Sequence, residues 1–597
     1  MSENKPTLPA WDLSDMYKGI DDPQIAADME SYRKTAASFA RKYKGRLAGL
    51  SAEEFARALE IYNKLSEMAG LLGGFAYLNM CTQMKNKEAM AFFQNTSEKL
   101  TDYGKPVIFF ELELNRLPAA TLKEWLKNKK VAFYKPFIMR AQRFKKYDLP
   151  EAVEEVFVEK SVTSSEAWVR FYEETSSRLE YTVDGQKYND AEITKLLLDK
   201  DAEVREKAGR EICRVSSENA PFMSFVYNMV VKDKAISDMK RGFKTPVSGP
   251  NLGEDVKDVT VETLAQTVRD NYGKIAHRFY KLKAKWLGVD KLKYWDRNAP
   301  LPFCDDRRYS WEESVKIVLD AYNEFSPKLY DIARNFFDHP WIDVPPRDGK
   351  RGGAFASGSV NSRHPYLFLN FVGKQNDVLT LAHELGHGCH MMTRRKNGDL
   401  NETSRMTTEE VASVFGEMMT FQSLLKQTAD DKEKLCLIAG KVSDMINTAV
   451  RQIAFHFFET RVHNERREGE LSADRLGEIW LEEMRAAQGP YVEMGDENAQ
   501  IWSQVGHFFF RPFYVYCYSF ADCLVNSLYQ VYQEGNVKDF PDKYLDMLSK
   551  TAITDYDKLL KPFGLNPDDP AFWNKGLGLI SHYIDELERL DKKVFGK

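Results

Sequence analysis

The sequence predicts a mainly α-helical protein with at least two lobes and one small β-sheet. Helical periodicity, with apolar residues three and four positions apart, dominates the chain on both sides of residues 344–371. Within that stretch, residues 344–359 are rich in proline and glycine, and residues 365–371 have the composition of a strand. The length of 597 residues exceeds the size at which a single hydrophobic core stops growing, so more than one lobe is expected.

The first 200 residues are predicted to form a helical lobe. Ser51 and Glu54 have the spacing of a capping box and open an apolar periodic segment. Residues 179–188 contain Asp-Gly between two short β-prone runs, which predicts a hairpin. Helical patterning then resumes, and we place the boundary there: an N-terminal helical lobe at 1–200 and a second domain at 201–597.

A buried helix from about residue 377 is predicted to carry the chemistry. It contains His-Glu-x-x-His, in which His383 and His387 share one helix face and can bind one Zn²⁺ through their ring nitrogens. Glu384 lies near the same face, close enough to act on a water at the metal. Asn376 or Asp377 is the expected N-cap. The alternative, two core histidines that flank a glutamate by chance, is improbable with only 10 histidines in the chain.

A catalytic zinc usually takes three protein ligands, and Glu410 is the candidate for the third. It follows His387 by 23 residues, in a second predicted helix. Thr407 and Glu410 also fit a capping box, so Glu410 could instead cap its own helix. Glu417, two turns further along, could orient a ligand histidine. His390 is expected to be structural.

Composition excludes several classes of partner. The net charge of −5 gives no general reason to expect nucleic acid, and no apolar run approaches the roughly 20 residues that cross a bilayer. The N-terminus lacks the pattern of a signal peptide. The 7 cysteines are scattered and odd in number, which favours free thiols in a reducing compartment. We therefore expect a cytoplasmic protein with no membrane, nucleic-acid or obligate protein partner.

The motif at 383–387, followed by Glu-Val-Ala-Ser at 410–413, resembles the thimet oligopeptidase-like family of zinc peptidases, family M3, and within it the oligoendopeptidase F branch. The Gly-Lys-Arg-Gly-Gly-Ala-Phe and Leu-Phe-Leu-Asn-Phe stretches upstream also resemble that branch. The resemblance implies a two-lobed, clam-like helical zincin with one Zn²⁺ per chain deep in a channel. It implies that the metal ligands are His383, His387 and Glu410, and that Glu384 is the general base.

The resemblance also covers the aromatic segment at 507–518. The family uses a histidine and tyrosines here to bind the substrate carbonyl and its developing oxyanion. This implies that His507 contacts substrate and that Tyr514 or Tyr516 stabilises the oxyanion. Other branches of the family have a glycine-rich stretch between the histidine and the tyrosines, whereas this chain has Phe-Phe-Phe-Arg-Pro. The alternative is that the segment only packs in the core.

The function expected from these observations is a zinc-dependent endopeptidase that hydrolyses internal bonds of short oligopeptides, as in peptide catabolism. Two alternatives stay open. An all-helical zinc metallocarboxypeptidase would share the His-Glu-x-x-His motif but would recognise a free C-terminal carboxylate. A non-catalytic helical peptide-binding protein would need no metal.

Overall fold

The structure is a computed structural model that describes residues 8–304, 307–402 and 405–596. Helix accounts for 70% of it and strand for 3%, so the prediction of a mainly α-helical fold with small sheets is confirmed. The chain forms two compact units. The first consists of Met1–Lys146, Asp306–Leu424 and Lys538–Pro562, and the second of Tyr147–Asp305, Leu425–Val537 and Phe563–Lys597. The division of the chain near residue 200 stays a prediction.

The helices and strands of the described residues are named in chain order. The helices are α1 (Pro23–Tyr43), α2 (Ala52–Cys81), α3 (Lys87–Gly104), α4 (Phe109–Arg116), α5 (Ala119–Trp125), α6 (Lys129–Phe133), α7 (Lys135–Ala141), α8 (Glu151–Ser161), α9 (Ser165–Ser176), α10 (Asp190–Leu196), α11 (Ala202–Arg241), α12 (Ser248–Glu254), α13 (Asp258–Asp270), α14 (Ala276–Leu287), α15 (Trp311–Phe325), α16 (Pro327–Asp338), α17 (Gln375–Arg394), α18 (Met406–Gln427), α19 (Asp431–Met445), α20 (Arg451–Glu468), α21 (Ala473–Gln488), α22 (His507–Phe510), α23 (Tyr516–Glu534), α24 (Phe540–Leu548), α25 (Tyr556–Leu560) and α26 (Pro570–Phe595). The strands are β1 (Tyr181–Val183), β2 (Gln186–Tyr188), β3 (Leu292–Lys293), β4 (Ile342–Asp343), β5 (Phe355–Ser357), β6 (Tyr366–Phe368) and β7 (Val492–Glu493).

Local signals in the sequence place several of these elements correctly. The Ser51 hydroxyl caps α2 in a capping box with Glu54, as predicted. β1 and β2 form the predicted antiparallel hairpin. Asp184 and Gly185 have φ of 50° and 80° at its turn, the left-handed conformations that a tight two-residue hairpin requires.

The predicted strand before the metal-binding motif is confirmed as β6, the centre of a three-stranded sheet in the first unit. The strand order is β4-β6-β5, with β4 parallel and β5 antiparallel to β6. Lys350 stabilises the loop between β4 and β5, because its buried ammonium lies 2.6 Å from the carboxylate of Asp343 and donates to the Pro345 carbonyl. β5 is an edge strand, because no other strand of the described residues pairs with its outer side.

The start of α17 differs from the prediction. Its N-cap is Lys374, and neither Asn376 nor Asp377 occupies that position. The Asp377 carboxylate instead accepts hydrogen bonds from the backbone N–H groups of Lys374 and Val372, each at 2.9 Å. Asp377 does stabilise the start of the helix, as the sequence indicated, but it does so from the third helical position and not as the N-cap.

Helices α17 and α18 of the first unit approach each other at two glycines. A Cβ added to Gly386 would lie 2.5 Å from the Ala412 carbonyl oxygen and 2.6 Å from the Ser413 Cα. A Cβ added to Gly416 would lie 3.0 Å from the Ala382 carbonyl oxygen, which also accepts a 2.8 Å hydrogen bond from the Tyr322 hydroxyl. A larger side chain at Gly386 would push the two helix backbones apart, whereas one at Gly416 would first meet the Tyr322 hydroxyl.

The expectation that all cysteines are free is wrong. Cys304 and Cys436 form a disulfide in the second unit, with their Cα atoms 5.8 Å apart. The two residues are separated by 132 positions, so nothing in the local sequence pairs them. The remaining cysteines are buried free thiols: Cys81, Cys213, Cys389, Cys517 and Cys523. The cysteine pattern therefore does not support a reducing compartment.

Among the described residues, no helix has the length and apolar character needed to cross a membrane. The cytoplasmic location and the absence of nucleic-acid or protein partners stay predictions from the sequence.

Gly386→Ala should lower the thermal unfolding midpoint, because overpacking at a well-packed contact typically costs about 1–3 kcal/mol. Circular dichroism melts would measure the shift. The matched control is Gly440→Ala in α19, where an added Cβ meets nothing within 4 Å. That change should stabilise by about 0.5–1 kcal/mol, the usual gain from replacing glycine within a helix. A Gly386→Ala protein as stable as wild type would mean that α17 and α18 can separate at no cost.

Candidate metal centre

Three side chains from α17 and α18 converge in the first unit. The ligand atoms of His383, His387 and Glu410 all lie within 4.8 Å of one another. The Glu410 Oε2 lies 3.2 Å from the His383 Nε2 and 3.4 Å from the His387 Nε2. No other group of three His, Cys, Asp or Glu side chains in the described part of the chain meets that limit. The structure therefore brings together the three residues that the sequence analysis proposed as ligands.

The charges in this cluster favour a cation. Burial alone would raise the pKa of Glu410, but hydrogen bonds from His383 and His387 outweigh it and hold that pKa far below its usual range. Burial alone would lower the pKa of His383, but its hydrogen bonds to Glu410 and Glu417 raise it to about 10. Two imidazoles and one carboxylate are a typical donor set for a catalytic zinc, so these residues fit the metal that the sequence predicts.

A further carboxylate lies beside one of the three candidate ligands. The Glu417 Oε2 lies 3.4 Å from the His383 Nδ1, the ring nitrogen opposite the one that faces Glu410. Metal-binding histidines commonly use their second nitrogen in this way, which fixes the tautomer and the direction of the ring. The role suggested for Glu417 from its position on α18 agrees with this geometry.

The alternative role of Glu410 as a helix cap is wrong. Helix α18 begins at Met406, so Glu410 lies inside the helix and Thr407 is not its N-cap. The Glu410 Oε2 accepts a 2.7 Å hydrogen bond from the Ser413 hydroxyl one turn later. The carboxylate therefore belongs to the cluster with the histidines.

Glu384 lies between the cluster and the edge strand β5. The residue is 6% exposed, and this burial raises the pKa of its carboxyl above the ordinary value, while His383, His387 and the Ala356 backbone N–H partly offset the rise. A carboxyl with a raised pKa is a stronger base than an ordinary glutamate, which suits a group that accepts a proton. His390, by contrast, is buried with its Nε2 2.7 Å from the Thr551 hydroxyl, and it is structural as predicted.

The aromatic segment lies in the second unit, and only part of the predicted set comes together. The ring of His507 stacks on Tyr514, with centroids 5.2 Å apart and planes at 8°. Tyr518 completes the cluster, with its ring centroid 5.2 Å from that of Tyr514. Tyr516 is 0% exposed in the core, so its hydroxyl has no access to a substrate in this structure. The sequence analysis missed Tyr518, because Tyr514 lies before the start of α23 and helical spacing does not relate the two side chains.

A buried carboxyl fixes the backbone immediately before Tyr514. Phe513 has φ of 63°, a left-handed conformation that is strained for a bulky residue. Its backbone N–H donates a 2.8 Å hydrogen bond to the Glu459 Oε1. Burial raises the pKa of Glu459 to about 8, although this hydrogen bond and Lys234 lower it. No signal in the sequence pointed to Glu459, which lies 54 residues before Phe513.

A helical protein with His-Glu-x-x-His on one helix and a converging glutamate on another has the donor set of a metallopeptidase. Comparison with known proteins agrees. Residues 195–579 match the model of peptidase family M3, and residues 113–181 match a model described as oligopeptidase F. The chain belongs to peptidase family M3, and the resemblance inferred from its motifs is confirmed.

Individual relatives are distant but cover most of the chain. Oligopeptidase PepF of Bacillus subtilis is 24% identical over 572 residues, which span 93% of this chain and 83% of the relative. Among solved structures, a protein from Chlamydophila abortus assigned as a peptidase superposes with a TM-score of 0.84 at 18% identity, over 97% of this chain and 98% of that one. Oligoendopeptidase-F from Enterococcus faecium gives 0.71 at 18% identity, over 94% and 98%. These two structures establish the shared fold.

Binding of a divalent metal to the metal-free protein should release about one proton between pH 7 and 9. The reason is that the raised pKa of His383, about 10, keeps its ring protonated there, and a ligand imidazole must be neutral. Apparent metal affinity should accordingly rise with pH in this window. Calorimetry in buffers of different ionisation enthalpy would count the protons. Glu417→Gln, which removes one cause of the shift, should release fewer. No proton release from wild type at pH 8 would mean that His383 is neutral before metal binds.

Proposed function

We propose that this chain is a zinc-dependent endopeptidase that hydrolyses internal bonds of short oligopeptides. The observation that carries the proposal is the convergence of the two histidines and Glu410, with the buried carboxyl of Glu384 beside an edge strand. Family M3 peptidases are in general zinc metallopeptidases, and relatives such as oligopeptidase PepF are named for action on oligopeptides. His383, His387 and Glu410 would hold one zinc ion per chain.

The residues around the centre suggest how hydrolysis would proceed. A bound zinc ion would supply Lewis acidity, which acidifies water and polarises a carbonyl group. Glu384 would accept a proton from the attacking water and then deliver it to the leaving amine. Its burial favours the first of these steps, because a carboxyl with a raised pKa is a stronger base and accepts a proton more readily than it would in water. The open edge of β5 would hold the peptide backbone in an extended conformation.

His507 and Tyr514 are proposed to contact the substrate, with the Tyr514 hydroxyl donating to the developing oxyanion. Burial and a hydrogen bond to Tyr518 raise the pKa of Tyr514, so the phenol keeps the proton that such a donor needs. Burial and Arg511 lower the pKa of His507, so its ring is neutral at pH 7. Tyr518 is the better second candidate than Tyr516, because it shares the cluster and is not enclosed in the core.

A peptide with an amidated C-terminus should be cut at an internal bond, and a chelator should abolish the cleavage. Mass spectrometry of the products would identify the bond. Amidation removes the carboxylate that a carboxypeptidase needs.

Glu384→Gln should retain zinc while kcat falls by at least about 100-fold, because general-base catalysis typically contributes 10²–10⁴. Near-normal turnover by a zinc-loaded Glu384→Gln protein would rule out the general-base role, and wild-type protein that binds no zinc would overturn the proposal.

Glu410→Ala should weaken zinc binding far more than it lowers stability, because it removes one of three ligands. Competition with a chromogenic chelator would give the zinc affinity. The matched control is Ser413→Ala, which removes only the hydroxyl that hydrogen-bonds the same carboxylate. Its loss of zinc affinity should be within about 10–100-fold, the usual cost of deleting a partner of a ligand. Equal zinc affinity in Glu410→Ala and wild type would exclude Glu410 as a ligand.

A further inference from the structure

A cavity of about 370 Å³ lies in the first unit next to the metal-binding helix. Its lining includes Gly358, Ser359 and Val360, which follow β5, and Met391 of α17. Met391 comes four residues after His387, so it lies on the same helix face, about 6 Å further along the axis. The cavity therefore begins roughly one helical turn beyond the metal ligands.

The direction of β5 determines which end of a peptide would reach this cavity. The Ala356 N–H faces Glu384, so the open edge of β5 lies on the side of the candidate catalytic carboxyl. From Ala356 the chain runs on through Ser357 to the residues that line the cavity. An added strand pairs more stably in the antiparallel sense. A peptide bound in that sense would have its amino-terminal side at the cavity.

Several polar atoms around the cavity have no hydrogen-bond partner among the described residues. They are the Ser359 Oγ, the Asn361 Nδ2 and the Glu402 Oε1, all buried. Buried polar groups are almost always paired with protein, water or ligand. This set contains both donors and acceptors, which suits a group that carries an N–H donor next to a carbonyl.

One carboxylate oxygen in the lining of the cavity has no partner among the described residues. Arg394, 5% exposed, binds Glu409 at 2.7 Å and lies 3.2 Å from the Glu402 Oε2, so it leaves the Oε1 of Glu402 unbound. The other two arginines of the lining donate elsewhere: Arg395 to the Asn361 carbonyl at 2.8 Å and Arg363 to the Asp15 carbonyl at 3.1 Å.

Burial raises the pKa of Glu402 to about 7, with Glu409 and Asp399 adding to the rise and Arg394 opposing it. A cation in the cavity would stabilise the ionised carboxylate. Three arginines and three acidic residues line the cavity, so its net charge favours neither sign. The unpartnered Glu402 oxygen favours a hydrogen-bond donor over an anion at this position.

We propose that the cavity binds an ammonium group on the amino-terminal side of the scissile bond, with Glu402 as acceptor and with Ser359 and Asn361 bonding the adjoining carbonyl. The α-ammonium of a short peptide is the expected source, and a lysine side chain is the other. This inference rests on the proposed function. Three to four residues separate Ala356 from Ser359 and Val360, or about 10–14 Å of extended chain, so cleavage about two to four residues from a free amino terminus should be favoured.

The test compares two amidated peptides that differ only by acetylation of the amino terminus. Wild type should cut the free form with kcat/KM roughly tenfold or more above the acetylated form, the usual worth of a hydrogen bond to a charged group. In Glu402→Gln this ratio should fall towards one, and Glu402→Asp, which keeps the charge, should retain part of it. Glu88→Gln, an exposed carboxylate of α3, should leave the ratio unchanged. Equal rates for the two peptides in wild type, or a ratio that Glu402→Gln does not alter, would overturn the proposal.

A second pair of acetylated peptides, with lysine or norleucine two to four residues before the scissile bond, separates the two sources of ammonium. Restored cleavage by lysine assigns the site to a side chain, whereas no restoration assigns it to the peptide terminus. The same peptides are also titrated onto the zinc-loaded Glu384→Gln protein, where binding does not depend on turnover. A protein that cuts no peptide would contradict the proposed function, while equal affinity for the free and acetylated peptides would contradict the ammonium site alone.

Discussion

The close approach of α17 and α18 is the constraint on which the metal centre depends. Both helices carry a glycine at the contact, and a methyl group at Gly386 would meet the backbone of α18 at 2.5 Å. Because the helices are this near, a glutamate side chain can place one oxygen within 3.4 Å of both ligand imidazoles. Helix spacing elsewhere is commonly 8–10 Å, set by larger side chains at the contact. The geometry of the centre is thus a property of two helix backbones and not of flexible side chains.

Placing several carboxylates so close together has an electrostatic cost, which positive charge at the histidines partly offsets. Glu384, Glu410 and Glu417 crowd the two histidines, and burial opposes the ionisation of Glu384 and Glu410. Without a metal, a proton on His383 offsets part of this negative charge. The pKa of His383 is accordingly raised and that of Glu410 lowered. A divalent cation would supply the missing positive charge directly. Retaining several carboxylates in a confined space is therefore consistent with a centre built for a metal.

The parts of the site that the sequence could predict are those set by local geometry. The spacing of His383 and His387 needs only one helix, and the strand composition before it was sufficient to place β6. Glu410 could be proposed as a ligand, but only the structure excludes the cap. The sequence could not predict contacts between segments that are far apart in the chain. The bond between Cys304 and Cys436 and the hydrogen bond from Phe513 to Glu459 depend on how the chain folds back, and the choice between Tyr516 and Tyr518 depends on which face of α23 is enclosed.

The edge strand β5 also bears on how the protein avoids associating with itself. An edge that can accept the backbone of a peptide can in principle accept a strand from another copy, which is the usual route to sheet aggregation. Here the strand is three residues long, and the N–H of Ala356, at its centre, is already engaged by Glu384. An edge that is this short, and whose backbone groups are partly hydrogen-bonded already, offers too few free hydrogen-bonding groups to nucleate a growing sheet. Glu384 would in this way also shield the edge strand from other copies of the chain until a bound peptide takes its place.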